Sequence, residues 1–289
     1  MALPQHITSL ANPKVKHVVK LRQRSHRDEA AQMLVEGYRE CKRALDNGYT
    51  PQMLFFCEEL YLKNLNEPEI VRQCAAHGAE LYACTAPVFE KMAYRERPEG
   101  LLMVGPQISR ALAGLALPEH ALVVIAEAIE KPGNLGTILR SADAAGVHAV
   151  IVCDRCTDIH NPNVVRASTG TLFSVPVAEA DSADALAFLR ERKFSILATT
   201  PHTEKLHTDA PLTGNVAIVV GAEQYGLSSA WMDAADARVR IPMFGLADSL
   251  NVASATTILL FEAVRQRIAA GQLIVPSPQA WHGEGTLDA

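Results

Sequence analysis

The sequence predicts an α/β protein in which a small α/β domain precedes a mostly parallel sheet with helices on both faces. Three observations point to this class. From Ala121 onward, apolar strand-like runs alternate with helical runs, which is typical of a parallel sheet. The chain has 289 residues and 48% hydrophobic content, enough to bury two ordinary cores. Blocks rich in glycine and asparagine follow three of the predicted strands.

The first part of the chain, residues 1–107, mixes helical and strand signals and is expected to form a small domain. Apolar residues at helical spacing predict one helix over residues 29–45, which Asn47 and Gly48 end. The same reasoning predicts strands at 53–57, 80–83 and 101–104 and a helix at 68–77. Residues 108–118 are rich in alanine and leucine without a strong period, so we interpret them as a linker.

The second domain is expected to span residues 119–272. Its predicted strands are 122–127, 149–154, 173–178, 194–199, 216–220 and 237–241. Its predicted helices are 135–146, 164–169, 183–193, 229–236 and a long closing helix over 250–270. The tail, residues 273–289, contains several prolines and glycines and is expected to be weakly ordered.

Charge is distributed unevenly. The formal net charge of −5 argues against binding nucleic acid through bulk electrostatics. Residues 1–27, however, contain no acidic residue and carry six basic ones: Lys14, Lys16, Lys20, Arg22, Arg24 and Arg27. This cluster is interpreted either as a phosphate-binding surface or as a solvated helix face.

The sequence also bears on cellular compartment. Its apolar runs are too short to cross a bilayer and its first residues lack an apolar signal region, so we expect a soluble, cytoplasmic protein with reduced cysteines and no membrane partner. Cys153 and Cys156 form a C-x-x-C pattern that suggests a redox or zinc site. A second ligand pair is missing from the sequence, so we expect no metal and interpret Cys153, at the end of an apolar run, as a packed thiol.

Several common motifs are absent from the sequence. The loop after the first predicted strand of the second domain, residues 131–136, does not fit the G-x-G-x-x-G of nicotinamide and flavin enzymes. The sequence also lacks a P-loop, G-x-S-x-G and H-E-x-x-H. These absences weaken the dehydrogenase, nucleotide hydrolase, esterase and zinc protease interpretations.

The first block holds Asn134, Gly136 and Arg140. Asn134 stands where an N-cap is expected. Arg140 follows Gly136 by one helical turn, so its guanidinium is expected to lean back toward the strand ends, with room for a substrate above the glycine. The alternative is a capped helix with a solvated arginine.

The second and third blocks also follow predicted strands. Two glycines surround Glu223, which either binds a ligand or fixes the loop. In the third block Pro242 is expected to end a strand and leave main-chain groups free. Ser249 and Asn251 are either signals for the start of a helix or catalytic residues.

Taken together, the blocks resemble the three signature motifs of the SpoU family, also called TrmH-like RNA 2′-O-methyltransferases, over residues 121–271. The matching residues are Asn134, Gly136 and Arg140 in motif one, Gly221, Glu223, Gly226 and Ser228 in motif two, and Ile241, Pro242, Met243, Ser249, Leu250 and Asn251 in motif three. The N-terminal part resembles the family's substrate-binding domain, which is similar to the ribosomal protein L30e fold, through residues 35–37 and 98–101.

The resemblance implies an S-adenosylmethionine-dependent enzyme with a deep trefoil knot in its C-terminal domain, acting as an obligate homodimer. The implied catalytic residues are Arg140, Asn134, Glu223, Ser249 and Asn251. The implied cofactor-binding residues are Thr199, Thr200, Gly221, Ala222, Gly226, Ile241, Met243 and Leu250. Arg166 is interpreted either as a phosphate contact or as a solvated arginine.

The implied reaction is attack of a ribose 2′-hydroxyl on the sulfonium methyl, helped by near-attack geometry and removal of the hydroxyl proton. In this family the motif-one arginine has been proposed as the base; a guanidinium is normally protonated, so Arg140 is also a candidate for anchoring a phosphate. Ribosomal RNA is the expected substrate and transfer RNA the nearest alternative. An inactive RNA-binding or assembly protein, and an unknotted oxidoreductase, remain as other classes.

Overall fold

The computed structural model describes residues 3–62, 65–108, 110–154 and 157–276. The chain forms two compact units. The first contains the residues up to Ile108 together with 159–174, and the second contains residues 110–158 and 175–275. None of the helices in the described part of the chain is long and apolar enough to cross a membrane.

Strands and helices are numbered here in chain order. The strands are β1 (Gln5–Ile7), β2 (Gln32–Glu36), β3 (Met53–Phe56), β4 (Glu80–Cys84), β5 (Leu101–Pro106), β6 (Leu122–Glu127), β7 (Ala149–Cys153), β8 (Val177–Ala180), β9 (Ser195–Thr199), β10 (Val216–Val220) and β11 (Ala237–Val239). The helices are α1 (Pro13–Lys20), α2 (Arg24–Ala30), α3 (Tyr38–Asp46), α4 (Glu67–Ala76), α5 (Ala86–Met92), α6 (Pro132–Ala144), α7 (Pro162–Ala167), α8 (Ser182–Glu191), α9 (Ser229–Ala234) and α10 (Val252–Ala269).

The first unit contains a five-stranded mixed sheet in the order β1-β4-β3-β5-β2. Strands β1, β4 and β3 are parallel, and β5 is antiparallel to both β3 and β2. In its core the rings of Phe55 and Tyr82 stack with centroids 4.9 Å apart. Val15 and Val18 of α1 and Phe89 of α5 pack into the same cluster. The expectation of a small N-terminal α/β domain is confirmed.

The predicted helix over residues 29–45 is wrong. This segment contains strand β2, then Gly37 with φ +105°, then helix α3. Met33, Leu34 and Val35 are buried in succession because β2 lies in a sheet covered on both faces. The helical spacing corresponds to a helix only after Gly37. There, Cys41 lies on the buried face of α3.

The second unit contains a six-stranded sheet in the order β11-β9-β10-β6-β7-β8, and every pair is parallel. Alternate strand residues such as Val123 and Ile125 pack into one cluster with α8 and α9. Leu122 and Val124 are also buried, and α6 and α10 contact the sheet without joining that cluster, so they cover the other face. The predicted α/β class with helices on both faces is confirmed.

Most predicted strands of this sheet agree closely with the observed ones. Strands β6 and β10 have the predicted bounds. Strand β8 begins at Val177, four residues later than predicted, because residues 170–174 form turns. Of the predicted weakly ordered tail, residues 277–289 lie outside the described residues.

One segment departs from the predicted domain boundaries. Residues 159–174 fall between β7 and β8 in sequence, yet they belong to the first unit. Arg43 of α3 donates to both the carbonyl and the hydroxyl oxygen of Thr169 at 2.6 Å. The ring of Phe173 lies 4.9 Å from that of Tyr49. These contacts join residues more than 120 positions apart, which periodicity does not reveal.

Candidate functional site

The polar site of the second unit lies where the strand order reverses. Strand β6 pairs with β7 on one side and with β10 on the other, and Val220 is in register with Ala126. The chain leaves β6 toward β7, whereas it leaves β10 toward β11 at the opposite edge. The loops that follow β6 and β10 therefore diverge, and in open α/β sheets such a switch point forms a ligand-binding crevice.

Glu223 is the centre of a hydrogen-bonded cluster at this switch point. Its Oε1 accepts the side-chain N–H of Asn134 at 3.1 Å and that of Asn251 at 2.7 Å. Asn251 also donates to Asn134 Oδ1 at 3.0 Å. Lys131 forms an ion pair with Glu223 Oε2. Residues of all three sequence blocks thus meet at one place.

The helices that carry the two asparagines explain why they meet. Helices α6 and α10 pack side by side, and Ser141 and Thr257 share a hydrogen bond of 2.7 Å farther along them. Both helices begin near Glu223, whose carboxylate also accepts the main-chain N–H of Val252. A negative charge is favourable at a helix N-terminus, so two helices stabilise this carboxylate.

The predicted helix caps are corrected by the structure. Helix α6 begins at Pro132, so Asn134 lies in its first turn and its side chain is free to reach Glu223. Asn251, predicted within the first turn of the last helix, is instead the N-cap of α10 and accepts the N–H of Ala253 at 3.1 Å. Ser249, the expected cap, is exposed two residues earlier and contacts Asp248.

The charges in the cluster are coupled. The hydrogen bond from Lys131 lowers the pKa of Glu223 below its usual value, and Asn134 and the N–H of Val252 act in the same direction. Conversely, Glu223 raises the pKa of Lys131. Glu223 is therefore anionic at neutral pH. Beside the cluster lies a cavity of about 190 Å³, lined by Ile129, Glu130, Lys131, Asn134, Ala222, Glu223 and Val252.

Arg140, the remaining expected catalytic residue, does not line this cavity. It is exposed on α6, six residues beyond Asn134. Among the residues that the structure describes, Arg140 has no hydrogen-bond or ion-pair partner. A protonated guanidinium in such a position is available to an incoming anion. Ile241 does not line the cavity either.

The expected cofactor-binding residues follow β9, β10 and β11, which are neighbouring strands. The hydroxyl of Thr199 donates to the carbonyl of Val219 at 2.9 Å, and the N–H of Thr200 donates to Val239 at 3.0 Å. These bonds tie the three strand ends together. Ile241 and Met243 are half-buried and Leu250 is exposed in residues 240–251, which form no helix or longer strand.

The loop after β10 is a tight turn that requires its glycines. A Cβ on Gly221 would lie 2.4 Å from the carbonyl oxygen of Gly226, and Gly226 has φ +67°. The N–H of Gly226 donates to the carbonyl of Ala222 at 2.9 Å. This turn directs Glu223 toward the ends of α6 and α10.

The expected RNA-binding residues are in several environments. Lys16, Lys20 and Arg24 are exposed. Lys14 forms an ion pair with Glu80 at 2.8 Å. Arg27 is only 1% exposed and donates to the carbonyls of Leu21 and Arg22, so it stabilises the end of α1 and is not a surface phosphate contact. Arg166 is exposed on α7.

Sequence reasoning missed two residues of the site. Lys131, which pairs with Glu223, lies three residues before Asn134, and its position before a proline in the loop after β6 was the available signal. Glu127 is 3% exposed and accepts the N–H of Ser228 at 2.8 Å, which holds the loop after β10. An acidic residue at the end of an apolar strand indicated a buried carboxylate.

The five cysteines that the structure describes are buried, and no disulfide joins them. Burial raises the pKa of Cys153 to about 12. Cys156 lies outside the described residues. In the described part of the chain, no group of three or more potential ligands is arranged to hold a metal ion.

A parallel sheet with polar residues from three loops gathered at its switch point defines a ligand-binding α/β domain. The SpoU rRNA Methylase family matches residues 121–261, and an MRM3-like substrate binding domain matches residues 12–103. The chain belongs to the SpoU rRNA methylase family.

Three similar proteins cover nearly the whole chain. The 23S rRNA (uridine(2479)-2'-O)-methyltransferase of Streptomyces viridochromogenes is 31% identical over 88% of this chain and 89% of its own. A solved RNA 2'-O ribose methyltransferase is 41% identical, with a TM-score of 0.79 over 91% of this chain and 100% of its own. An AdoMet-bound rRNA methyltransferase from Sinorhizobium meliloti is 32% identical. Its TM-score is 0.83, over 90% of this chain and 97% of its own.

Proposed function

We propose that this protein transfers a methyl group from S-adenosylmethionine to a ribose 2′-hydroxyl of ribosomal RNA. The observation that carries the proposal is the hydrogen-bonded cluster of Asn134, Glu223 and Asn251 at the switch point. Each residue comes from a different signature motif of a family of RNA methyltransferases. Two relatives that match most of the chain are named as a 23S rRNA 2′-O-methyltransferase and an RNA 2′-O ribose methyltransferase.

S-adenosylmethionine fits the loops that follow β9, β10 and β11. These loops are adjacent and offer main-chain donors and acceptors at Gly221, Ile241, Met243 and Leu250, with Thr200 beside them. Main-chain groups at strand ends are well suited to a purine edge, and tight glycine turns allow a ligand to approach the backbone closely. When bound, the cofactor supplies the electrophilic methyl group.

The residues of the cluster position the reactants. Glu223 is a weak proton acceptor at neutral pH because Lys131 lowers its pKa, so its role is to orient Asn134 and Asn251. Arg140 is an exposed cation, and none of the described residues pairs with it. It binds the phosphate next to the target ribose and polarises the 2′-hydroxyl, which favours near-attack geometry. The hydroxyl proton leaves to solvent.

The active form is a homodimer with a knotted C-terminal domain. Phe244 and Leu246 are 96% and 107% exposed in the segment before α10. Ile258, Phe261 and Ile268 form an exposed apolar series on α10 itself. Apolar side chains grouped in this way support burial by another chain, and the second copy is the partner that the family resemblance implies.

Ribosomal RNA is preferred over transfer RNA as the substrate, because two relatives that match most of the chain are named as 23S rRNA methyltransferases. The first unit matches a substrate binding domain, and its exposed Lys16, Lys20 and Arg24 supply positive charge for phosphates. An inactive RNA-binding protein of the same fold is the second candidate. The presence of Arg140, Glu223 and Asn251 in one chain supports the active enzyme.

One experiment tests the function and the substrate. The protein is incubated with methyl-labelled S-adenosylmethionine and separately fractionated ribosomal and transfer RNA, and ribose methylation is mapped by alkaline hydrolysis, which spares 2′-O-methylated positions. We expect label at a defined position of ribosomal RNA. Label confined to transfer RNA would show that transfer RNA is the substrate. No label in either RNA would contradict the enzyme assignment.

A further inference from the structure

A second cavity lies in the first unit, formed only by residues of that unit. It is a shallow depression with about 250 Å³ of space, part of it open to solvent, and it is lined by Leu34, Glu36, Tyr94, Arg95, Pro162 and Arg166. A ligand at this place lies across the mouth of the depression, against the exposed ring of Tyr94. From its geometry and charge we propose that this cavity binds a single unstacked nucleotide of the substrate RNA, with the base against Tyr94 and the phosphate at Arg166.

Tyr94 is an exposed aromatic residue that is held in place at both ends. Its main-chain N–H donates to Glu36 Oε2 at 2.7 Å, and its hydroxyl accepts the side-chain N–H of Asn163 at 2.9 Å. The residue is nevertheless 37% exposed. A ring fixed in this way loses little conformational entropy when a base stacks on it, and stacking on aromatic side chains is how proteins hold splayed RNA bases.

Arg166 supplies the cation beside that ring. It follows Asn163 by three residues on α7, so both side chains lie on the same face of the helix. Because Asn163 contacts the hydroxyl of Tyr94, Arg166 lies at the same rim of the cavity. Among the residues that the structure describes, no carboxylate pairs with Arg166. Its guanidinium is therefore available to a phosphate, for which its planar donor fork is well suited.

The floor of the cavity is neutralised internally and does not compete for the phosphate. Arg95 forms ion pairs with Glu40 at 2.6 Å and with Glu99. Glu36 is 7% exposed, and its carboxylate accepts the N–H groups of Tyr94 and Arg95. Because these floor groups are paired with one another, the phosphate is directed to Arg166 at the rim.

The surroundings supply further positive charge. Arg22 donates to the carbonyls of Lys91 and Ala93, at 2.8 Å and 2.5 Å. These bonds hold the basic N-terminal segment beside residues 91–93, which directly precede Tyr94. Lys20, which is exposed, lies two residues before Arg22, and Arg24, two residues after it, forms an ion pair with Asp28 at 3.4 Å. An RNA strand that places one base in the cavity thus meets several cations along its backbone.

This inference rests on the proposed function, since the substrate must be RNA, and its test separates the two. The full-length protein is irradiated with ultraviolet light in complex with fractionated ribosomal RNA, digested, and analysed by mass spectrometry for nucleotide adducts. In parallel, the Kd for the same RNA is measured across a salt series. We expect an adduct on the peptide that carries Tyr94. Free nucleoside monophosphates serve as a second probe, and we expect no adduct with them at equal concentration.

Matched variants separate the stacking of a base on Tyr94 from the hydrogen bond between Asn163 and the hydroxyl of Tyr94. We expect Tyr94→Leu and Arg166→Ala each to raise the Kd about fivefold or more, and Arg166→Ala to reduce the salt dependence by about one phosphate contact. Tyr94→Phe keeps the ring, and Asn163→Ala removes only the hydrogen bond to it, so both should stay within about threefold of wild type. Arg72→Ala, an exposed arginine paired with Glu69 on α4, is the charge control and should bind normally.

Unchanged affinity for S-adenosylmethionine and an unchanged unfolding midpoint show that each variant is folded. Wild-type Kd values in Tyr94→Leu and Arg166→Ala, with no adduct on Tyr94, would overturn the inference while methylation by the wild type leaves the proposed function intact. Adducts on Tyr94 without methylation of any RNA would contradict the proposed methyltransferase function. They would still support nucleotide binding at Tyr94. An adduct that forms with free nucleotides but not with RNA would show that the site binds free nucleotides and would overturn the inference.

Discussion

Asn251 donates to Glu223 Oε1 at 2.7 Å with its side-chain N–H, while its own Oδ1 accepts the N–H of Ala253. One side chain thus starts helix α10 and orients the carboxylate of the cluster. Because the two functions use different atoms of the amide, substitutions can separate them.

Asn251→Asp keeps the oxygen that caps α10 but places a second carboxylate beside Glu223. We expect methyl transfer to fall at least tenfold because like charges disrupt the cluster, with stability near that of wild type. Asn251→Ala loses the cap as well, which costs about 1 kcal/mol in the free energy of unfolding. Urea unfolding and turnover on ribosomal RNA measure the two effects. Full activity in Asn251→Asp would show that the bond to Glu223 is dispensable.

Arg140→Ala removes the unpaired cation of α6. We expect methyl transfer to be lost while the Kd for S-adenosylmethionine stays within a few fold, because Arg140 does not line the cavity beside Glu223. Arg140→Lys should restore only part of the activity, since a lysine lacks the planar donor fork. Initial rates and calorimetric titration of the cofactor provide the comparison. Near-normal turnover in Arg140→Ala would remove this residue from the mechanism.

The ion pair between Lys131 and Glu223 sets the ionisation of the cluster. The folded state lowers the pKa of Glu223, so its charged form contributes stability above its ordinary pKa and loses it as the pH falls through the lowered value. Lys131→Met should move the pKa of Glu223 upward, toward its ordinary value. NMR titration of 13C-labelled glutamate carboxyls follows this change. Glu69 of α4, whose pKa is lowered by the hydrogen bond from Arg72, serves as the reference and should keep the same pKa in both proteins.

Arg267 of α10 is 5% exposed and donates to the carbonyls of Leu212, His120 and Gly214. Arg267→Met leaves these buried carbonyls without a donor, and we expect the free energy of unfolding to fall by about 3 kcal/mol. Arg265→Met on the same helix removes the ion pair between an exposed guanidinium and Glu262, whose carboxylate still accepts the N–H of Gln266, so it should cost less than Arg267→Met. Urea denaturation compares the two. Equal losses would refute the role assigned to Arg267.

Burial raises the pKa of Cys153 and Cys84 to about 12, because the thiolate is poorly solvated in the core. Since the thiolate is the reactive form, iodoacetamide at pH 8 should label neither residue in the folded protein and both in urea. Peptide mass spectrometry measures the labelled fraction. Rapid native labelling of Cys153 would revive the redox interpretation of its C-x-x-C pattern.

Sequence reasoning succeeded where one pattern had one structural solution. The uninterrupted apolar runs of β6 and β10 belong to a parallel sheet covered on both faces, and their bounds were predicted. It failed at β2, because Leu34 fits a helical stripe as well as a buried strand. It failed again at Arg27, whose burial depends on contacts with the end of α1. The motifs predicted that Glu223 and Asn251 lie close together. The ion pair of Lys131 with Glu223 became visible only in the folded structure.

The membership of residues 159–174 in the first unit has an evolutionary consequence. The chain passes between the two units on both sides of this segment as well as near residue 109. A single recombination event at the linker would therefore exchange a binding domain without α7, and strand β2 would lose the helix that contacts it. A binding domain exchanged at the linker must therefore be compatible with residues 159–174 of the chain that receives it.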